Sequence, residues 1–270
     1  MFIDTHCHIN MMVKKTFDTP LDDQQIHNAH SIIEEAKNND VKIIIDIGTG
    51  LIESKNCVAL AKHFEPLFAT VGIHPNDCTA SWRADLDELK KLLKHKSHNK
   101  IVGIGECGID LHYPEYNVSR QQDAFKAQIE LALEHDLALV VHSRDAADET
   151  LRILDEYKND IKRSVMHCFS YDRLIAREAI AMGFLLGIDG PITYPKNDEL
   201  RAIVLEVGLK HIVLETDAPF LPPQQFRGQQ NHPKYIKTIA EFIAQFFKQS
   251  LQDIAQQTTD NARKLFLLNN

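Results

Sequence analysis

The sequence predicts a (β/α)8 barrel, known as a TIM barrel, that forms a single domain over residues 1–270. Short apolar runs alternate with longer stretches of helical periodicity along the whole chain. Short buried strands joined by helices are typical of a parallel sheet, and eight such units can close into a barrel. The length of 270 residues also suits one such barrel. A doubly wound open sheet is the structural alternative.

Eight short runs of mainly apolar and β-branched residues predict the strands of this barrel. Each run is followed by a turn and is short enough to be a buried strand. In chain order, the predicted strands cover residues 2–4, 42–47, 67–72, 101–106, 137–141, 164–167, 184–188 and 212–215.

The stretches between these strands carry apolar residues at helical spacing. The clearest predicted helices cover residues 85–96, 121–135, 172–182 and 199–207. Two further helical stretches follow the last strand, at residues 234–248 and 251–268. We expect the first of these to close the barrel and the second to be a C-terminal addition.

The composition is that of an ordinary globular protein, and it limits the classes of function. With 44% hydrophobic and 25% charged residues, the chain can build a sizeable core. A formal charge of −8 argues against a general nucleic-acid coat protein, whose affinity depends on lysine and arginine. It does not exclude a nuclease, because bound divalent cations add positive charge that this count omits.

The cysteines and the start of the chain predict a cytoplasmic protein. The five cysteines are odd in number and form no Cys-x-x-Cys pair, so the pattern indicates neither a disulfide framework nor a zinc knuckle. Reduced thiols fit a cytoplasm. We expect no secretory leader, no membrane span and no obligate protein partner, and the sequence leaves the oligomeric state open.

Metal-competent side chains cluster where the predicted strands end. A barrel carries its active site on the loops at the carboxyl ends of its strands. Seven such side chains stand at or just after six of these ends: His6, His8, His74, Glu106, His142, His167 and Asp217. We therefore expect them to meet in one site at the barrel mouth.

The spacing His6-x-His8 has a direct structural meaning. Alternate residues of a strand point to the same side, so two imidazoles with this spacing can bind one cation inside the barrel mouth. An isolated pair could also be a polar strand end, and the other residues in barrel order favour the metal site. By the same alternation Cys7, Cys107 and Cys168 point away from the presumed ligands, and we expect them to be small buried side chains.

This constellation is typical of a metal-dependent hydrolase. A bound divalent cation lowers the pKa of its water and polarises the bond to be cleaved. Two cations about 3.5–4 Å apart can hold the attacking and the leaving oxygen of a phosphoryl displacement. Glu106 is the best candidate to bridge two cations, because its central strand faces both sets of histidines. Histidine with carboxylate suits Zn²⁺ or Mn²⁺ and carboxylate-rich sites favour Mg²⁺, so the metal stays open.

Six motifs, read together, resemble the TatD-type deoxyribonucleases. They are FIDTHCH at residues 2–8, GIHP at 72–75, GECGID at 105–110, HSRDA at 142–146, HCFS at 167–170 and ETDAP at 215–219. The later Arg227-Gly228, Asn231 and Pro233 are similar to the family's loop after the last strand. The match follows the family's order over essentially the whole chain, and it departs mildly at residues 111–113 and 229–232.

The resemblance implies a cytoplasmic barrel hydrolase of the amidohydrolase kind, with two divalent cations and DNA as its substrate, acting as an exonuclease. By the same resemblance, the ligands of one cation are His6, His8, Glu106 and Asp217. The ligands of the second cation are Glu106, His142 and His167, so Glu106 would be shared and would take part in catalysis.

The residues beside the ligands have predicted roles of different kinds. Asp217 is the expected general base for the attacking water, and a helix N-cap is the alternative. Glu215 either supports a ligand or is simply buried against a partner. His74 either binds a substrate phosphate, orients water or packs in its loop. Arg144 either holds a phosphate bidentately or pairs with a nearby aspartate, Asp145 or Asp148.

Three functions stay open from the sequence. The first is the nuclease, and the second is a barrel hydrolase of a small ester, lactone or amide, since one metal site serves many substrates. The third, a non-catalytic protein with a structural metal, is disfavoured by the complete ligand set. No dedicated DNA groove is evident, since the loops offer only scattered cations and aromatic rings: Lys14, Lys15, Arg144, Arg173, Lys196, Arg227, Trp82, Tyr113, Tyr116 and Tyr171.

Overall fold

The computed structural model of the protein describes residues 1–14, 16–113, 115 and 117–268. Within these residues, eight parallel strands form one sheet whose spatial order is the chain order. The strands are β1 (Phe2–Cys7), β2 (Val41–Asp46), β3 (Leu67–Val71), β4 (Ile101–Asp110), β5 (Ala138–Arg144), β6 (Ser164–Met166), β7 (Leu185–Ile188) and β8 (Ile212–Leu214). The (β/α)8 barrel predicted from the alternation is confirmed.

Helices follow the strands and cover the outside of the sheet. They are α1 (Ile9–Met12), α2 (Asp23–Asn38), α3 (Leu51–His63), α4 (Trp82–Leu93), α5 (Val118–His135), α6 (Ala147–Asp155), α7 (Arg173–Ala181), α8 (Asp198–Val207), α9 (Ile236–Phe247) and α10 (Leu251–Phe266). Across the described residues, none of the helices combines the length and the apolar composition that crossing a membrane requires.

Local polar side chains set the start of several helices. Asp22 and Gln25 form a reciprocal capping box at the start of α2, and Ser250 and Asp253 form another at the start of α10. The carboxylate of Asp172 accepts hydrogen bonds from two backbone N–H groups in the first turn of α7. These contacts satisfy donors that the helices themselves leave unpaired, so the sequence defines these ends locally.

The sheet closes between its first and last strands. Cys7 forms a parallel bridge with Ala218, whose carbonyl oxygen accepts a hydrogen bond from the backbone of His8 at 2.7 Å. Deeper in the barrel, the carboxylate of Asp4 accepts hydrogen bonds from the backbone and the hydroxyl of Thr216, at 3.0 and 2.6 Å. The barrel is therefore closed, and the doubly wound alternative is wrong.

The two central strands are longer than the sequence predicts. β4 was predicted to end at Glu106 and β5 at Val141, but their ladder continues until Asp110 pairs with Arg144. The reason is tertiary, because each strand supplies the backbone partners that let the other continue past the rim. Arg144 thus stands at the end of a strand rather than in a loop.

The last helix closes the end of the barrel opposite the mouth. Leu265 and Phe266 of α10 pack in one buried cluster with inward-facing strand residues such as Ile3 and Val213. The side-chain amide of Asn261 donates to the carbonyl oxygen of Ile212 at the start of β8, at 2.7 Å. The expected C-terminal addition is therefore part of the barrel's core.

A buried ion pair links Lys14, which follows α1, to α3. The ammonium group of Lys14 lies 2.6 and 2.7 Å from the two carboxylate oxygens of Glu53, and both side chains are almost fully buried. The side-chain amides of Asn10 and Asn56 donate to the same carboxylate at 2.9 and 3.1 Å, and the backbone of Asp18 donates at 2.8 Å. This network joins the first loop of the mouth to α3.

We predict that Glu53→Ala lowers the free energy of unfolding by about 3–5 kcal/mol, because it leaves the buried charge of Lys14 uncompensated. Urea denaturation at pH 7 measures this change. The control Glu34→Ala removes an exposed pair with Lys37, at 3.4 Å, and should cost less than about 1 kcal/mol. Equal losses in the two variants would contradict the prediction.

The same network predicts a pH dependence. Burial raises the pKa of Glu53, but the hydrogen bonds from Lys14, Asn56, Asp18 and Asn10 outweigh it, so the pKa lies below its ordinary value of 4.5. A carboxylate with a lowered native pKa stabilises the fold above its unfolded pKa, and this contribution is lost as the pH falls through the native value. The stability gap between wild type and Glu53→Ala should therefore shrink below pH 4.5.

Candidate metal centre

The structure brings all six predicted ligands into one cluster at the barrel mouth. One ligand each comes from β1, β4 and β5, and the other three come from the segments directly after β1, β6 and β8: His6, Glu106, His142, His8, His167 and Asp217. Five of the six are buried, and His142 is partly exposed. Convergence from five different strands follows from the barrel, whose strand ends all face one opening.

The carboxylate of Glu106 divides the cluster into two sides. Its Oε2 atom lies 3.4 Å from Nε2 of His6 and 3.8 Å from Nε2 of His8. Its Oε1 atom lies 2.8 Å from Nδ1 of His142 and 2.9 Å from Nε2 of His167. Each oxygen therefore faces a different pair of imidazoles, which is the geometry in which one carboxylate can serve two cations.

Asp217 stands on the first of these sides. Its Oδ1 atom lies 3.6 Å from Nε2 of His6 and 3.4 Å from Nε2 of His8. The chain turns directly after Asp217, where the backbone of Phe220 donates to the Asp217 carbonyl oxygen at 2.8 Å. No helix begins at this residue, so the alternative of a helix N-cap is wrong.

Outer hydrogen bonds orient two of the imidazoles. Nδ1 of His8 lies 3.1 Å from the carbonyl oxygen of Ile47. A carbonyl oxygen can only accept, so Nδ1 carries the proton and the lone pair of Nε2 points into the cluster. On the other side, Nε2 of His142 lies 3.1 Å from Oδ2 of Asp110, which leaves Nδ1 facing Glu106. Such outer partners commonly fix metal-binding histidines.

Asp110 was not among the predicted site residues. Its carboxylate contacts His142 and accepts a hydrogen bond from the side-chain amide of Asn76 at 3.0 Å. The two-residue alternation of a strand could have predicted its place in the site, because Asp110 follows Glu106 by four residues and points to the same side of β4. The sequence-based prediction missed it because β4 was expected to end at Glu106.

Glu215 combines the two roles that the sequence left open. The side chain is fully buried, and its Oε1 atom lies 3.6 Å from Nδ1 of His167. The same atom accepts a hydrogen bond from the backbone of Cys168 at 2.5 Å. A Cβ atom on Gly187 would overlap this carboxylate, so the glycine at this position of β7 leaves the space that the Glu215 side chain occupies. Glu215 thus lies behind His167 rather than in the mouth.

Charge within the cluster favours a bound cation. Burial raises the pKa of Glu106, but the neighbouring His167 and His74 and the hydrogen bond from His142 outweigh it and hold that pKa well below its usual range. Burial lowers the pKa of His142 and His167, but their carboxylate partners outweigh it and raise both. The carboxylates thus stabilise protons on the imidazole nitrogens of His142 and His167. A divalent cation can replace these protons, because it offers the carboxylates the same favourable positive charge.

Both oxygen and nitrogen donors are therefore available in the cluster. Nδ1 of His6 and Nδ1 of His167 are buried without a hydrogen-bond partner among the described residues. The nitrogens that face Glu106 are the Nε2 atoms of these two rings. A buried array in which imidazole nitrogens and carboxylate oxygens face one another fits a divalent cation better than it fits a packed core.

His74 lies on the second side, next to the predicted ligands. Its Nε2 atom is 3.5 Å from Oε1 of Glu106, and its ring centre is 4.3 Å from that of His142. Nδ1 accepts a hydrogen bond from the backbone of Asn76 at 3.1 Å, so Nε2 carries the proton and faces the site. Burial lowers the pKa of His74 to about 3, which keeps the ring neutral.

Arg144 is exposed at the rim of the mouth. Its guanidinium carbon lies 5.8 Å from the ring centre of Tyr113, and within the described part of the chain it forms no ion pair. Asp145 pairs with His112 instead, at 2.9 Å. The alternative of an ion pair with Asp145 or Asp148 is therefore wrong.

Several of the scattered residues considered for DNA contact are already engaged. Lys14 is buried against Glu53, the side chain of Arg173 lies 3.0 Å from Glu206, and Trp82 is buried in the core. Lys15 and Tyr116 lie outside the described residues.

The cysteines next to the predicted ligands differ in burial. Cys7 and Cys107 are fully buried, as expected, whereas Cys168 is partly exposed. Cys168 has a left-handed backbone with φ of 46°, which interrupts the strand alternation on which its expected burial was based.

Comparison with known proteins identifies the family. The sequence profile of the TatD related DNase family matches residues 3–267. The chain is 34% identical over 269 residues to the uncharacterized metal-dependent hydrolase YabD of Bacillus subtilis, with both chains covered completely. It is 31% identical over 252 residues to a Citrobacter rodentium protein named 3'-5' ssDNA/RNA exonuclease TatD, covering 90% of this chain and 93% of that protein.

A solved structure agrees with these matches. The crystal structure of YjjV, a TatD homolog from Escherichia coli K12, superimposes with a TM-score of 0.88 at 29% identity, covering 99% of this chain and 98% of that one. The profile, the relatives and the fold all extend over nearly the full chain. The protein therefore belongs to the TatD family of metal-dependent hydrolases.

Proposed function

We propose that the protein hydrolyses DNA phosphodiesters as an exonuclease that uses two divalent cations. The observation that carries this proposal is Glu106, whose two carboxylate oxygens face separate pairs of imidazoles. A carboxylate shared between two cations is typical of phosphoryl transfer. The name of the Citrobacter rodentium relative supports a nucleic acid as the substrate class.

The two sides of the cluster would hold one cation each. The first set is His6, His8, Glu106 and Asp217, and the second is Glu106, His142 and His167. When bound, such cations neutralise the charge of the phosphate and make nearby water more acidic. Zn²⁺, Mn²⁺ and Mg²⁺ all remain candidates for this mixed donor set.

Asp217 would accept the proton of the attacking water. Burial raises the pKa of Asp217, but the hydrogen bond from His8 and the charges of His6 and His167 outweigh it and lower that pKa. The carboxylate is therefore ionised at neutral pH, and its small exposed fraction of 8% leaves it open to the mouth. Because Asp217 belongs to the ligand cluster, it would lie next to the attacking water, and no further residue is needed as the general base.

His74 and Arg144 would contact the substrate itself. The proton on Nε2 of His74 points into the cluster, where it can be donated to a phosphate oxygen or to water. The exposed guanidinium of Arg144 at the rim can hold a phosphate further along the strand. We also propose a reducing, intracellular location, because all five cysteines are free thiols.

A small ester, lactone or amide is the alternative substrate. The engagement of Lys14 and Arg173 in ion pairs favours it, because these side chains are not free to follow a long phosphate backbone. If wild-type protein hydrolysed a neutral ester readily and left single-stranded DNA uncut with Mg²⁺, Mn²⁺ and Zn²⁺ in turn, this alternative would replace the nuclease.

The metal content should depend on Glu106 more than on any other single residue. We expect two cations per chain in the wild type, almost none in Glu106→Ala, and one in His167→Ala. Elemental analysis of metal-saturated, folded protein measures this. The matched control is Cys107→Ala, whose buried thiol is adjacent in the chain and contacts the carbonyl oxygen of Val140 instead. A single cation in the wild type, unchanged in Glu106→Ala, would contradict the shared carboxylate.

Asp217→Asn should lower kcat on single-stranded DNA by about 10²- to 10⁴-fold, the range typical of a lost general base. The amide keeps the size of the side chain and can still offer an oxygen atom. Single-turnover kinetics with metal content measured in parallel separate the loss of the base from the loss of a cation. A variant that retains both its cations and wild-type kcat would exclude Asp217 as the base.

Arg144→Ala should act on binding. We expect a higher KM for single-stranded DNA, nearly unchanged kcat, and a salt dependence of log KM that is shallower by about 0.7, because one phosphate contact is lost. Arg152→Ala serves as the control, because it removes an exposed arginine of α6 that pairs with Glu149 and Glu156. Hydrolysis of a neutral ester should be insensitive to both changes. Equal salt slopes in Arg144→Ala and wild type would refute the contact.

A further inference from the structure

An exposed aromatic ring stands beside the metal centre. Phe220 follows Asp217 by three residues, and 48% of its surface is exposed. Its ring centre lies 6.1 Å from that of His8, with the two planes inclined at 70°. The adjacent Leu221 is exposed as well. Their position at the edge of the metal centre, and not their exposure alone, places these two side chains where a bound ligand can cover them.

The backbone beneath the ring is held in place. The N–H group of Phe220 donates to the carbonyl oxygen of Asp217 at 2.8 Å. The side-chain amide of Asn231, itself buried, donates to the carbonyl oxygens of Thr216 and Phe220, each at 2.6 Å. The ring thus stands on a fixed loop, and a ligand that stacks on it meets little cost for ordering the protein.

The same loop places a cation over a second aromatic ring. The guanidinium carbon of Arg227 lies 4.7 Å from the ring centre of Tyr194, whose hydroxyl donates to the carbonyl oxygen of Pro222 at 3.0 Å. Arg227 is exposed and forms no ion pair with any described residue. An apolar stacking surface and a guanidinium on one loop match a nucleotide, which offers a π-face and an anionic phosphate.

We propose that Phe220 is a stacking platform for an unpaired nucleobase next to the scissile phosphate, and that Arg227 contacts a neighbouring phosphate. This inference rests on the proposed function and deepens it by naming the residues that would select an unpaired base. The bases of a duplex already stack on their neighbours and offer no free face, whereas an unpaired base does. Phe220 takes part in no proton transfer, so it determines specificity and not the chemistry.

The test compares metal-loaded wild type with Phe220→Ala, Phe220→Trp and Leu205→Ala on the dinucleotide dTpdT and on its two analogues that each lack one base. Base stacking on an aromatic ring changes kcat/KM by about 5- to 150-fold. Wild type should cleave one abasic analogue more slowly than dTpdT by such a factor. Phe220→Ala should abolish this difference by slowing dTpdT alone, and Phe220→Trp should restore it.

Leu205→Ala is the matched control, because Leu205 is 47% exposed on α8 and should behave like wild type. The metal content of every variant is measured, since Phe220 contacts the predicted ligand His8. A Phe220→Ala enzyme that keeps its cations and still discriminates against the same abasic analogue by the wild-type factor would overturn the platform.

A binding measurement separates this inference from the proposed function. The fluorescence of 2-aminopurine in a short single strand is quenched when the base stacks, so quenching by wild type should disappear in Phe220→Ala. Cleavage of DNA without quenching, and with unchanged discrimination in Phe220→Ala, would refute the platform and leave the nuclease intact. Quenching without any cleavage of DNA would refute the nuclease and leave the platform intact.

Discussion

Burial of the Glu106 carboxylate is the constraint around which the mouth of this barrel is organised. An isolated carboxylate removed from water carries a large desolvation cost, which only close positive charge or hydrogen-bond donors can offset. Here the offset comes from imidazoles on both sides of the group, with His142 and His167 within 2.9 Å of one oxygen. The same arrangement that makes the buried charge tolerable also places imidazole and carboxylate donors where they could hold a divalent cation.

The surrounding structure holds this arrangement from behind. Asp110 fixes the far nitrogen of His142, and Glu215 lies behind His167. Both carboxylates depend on space left by the backbone. A Cβ atom on Gly108 of β4, where φ is 151°, would overlap the carbonyl oxygen of His142, so only glycine lets β4 and β5 run side by side beyond Glu106. The lengthened pair of strands is what places Asp110 beside its histidine.

The rim of the mouth differs from its interior in a way that fits hydrolysis of a strand with unpaired bases. The interior holds buried imidazoles and carboxylates, whereas the rim presents exposed aromatic rings and two arginines, Arg144 and Arg227, each stacked over a tyrosine. Stacking orients a guanidinium without neutralising it, so each arginine stays available for an anion.

The barrel and the six residues of the cluster could be predicted from the amino-acid sequence alone. Both follow from local periodicity, because alternation of strand and helix predicts a parallel barrel, and a barrel collects the residues after its strands at one end. Long-range contacts set the remaining features: which oxygen of Glu106 faces which histidines, how far β4 extends, the pairing of Asp145 with His112, and the exposure of Phe220. These features depend on contacts between residues that are far apart in the chain, and the local sequence pattern does not specify the distances between such residues.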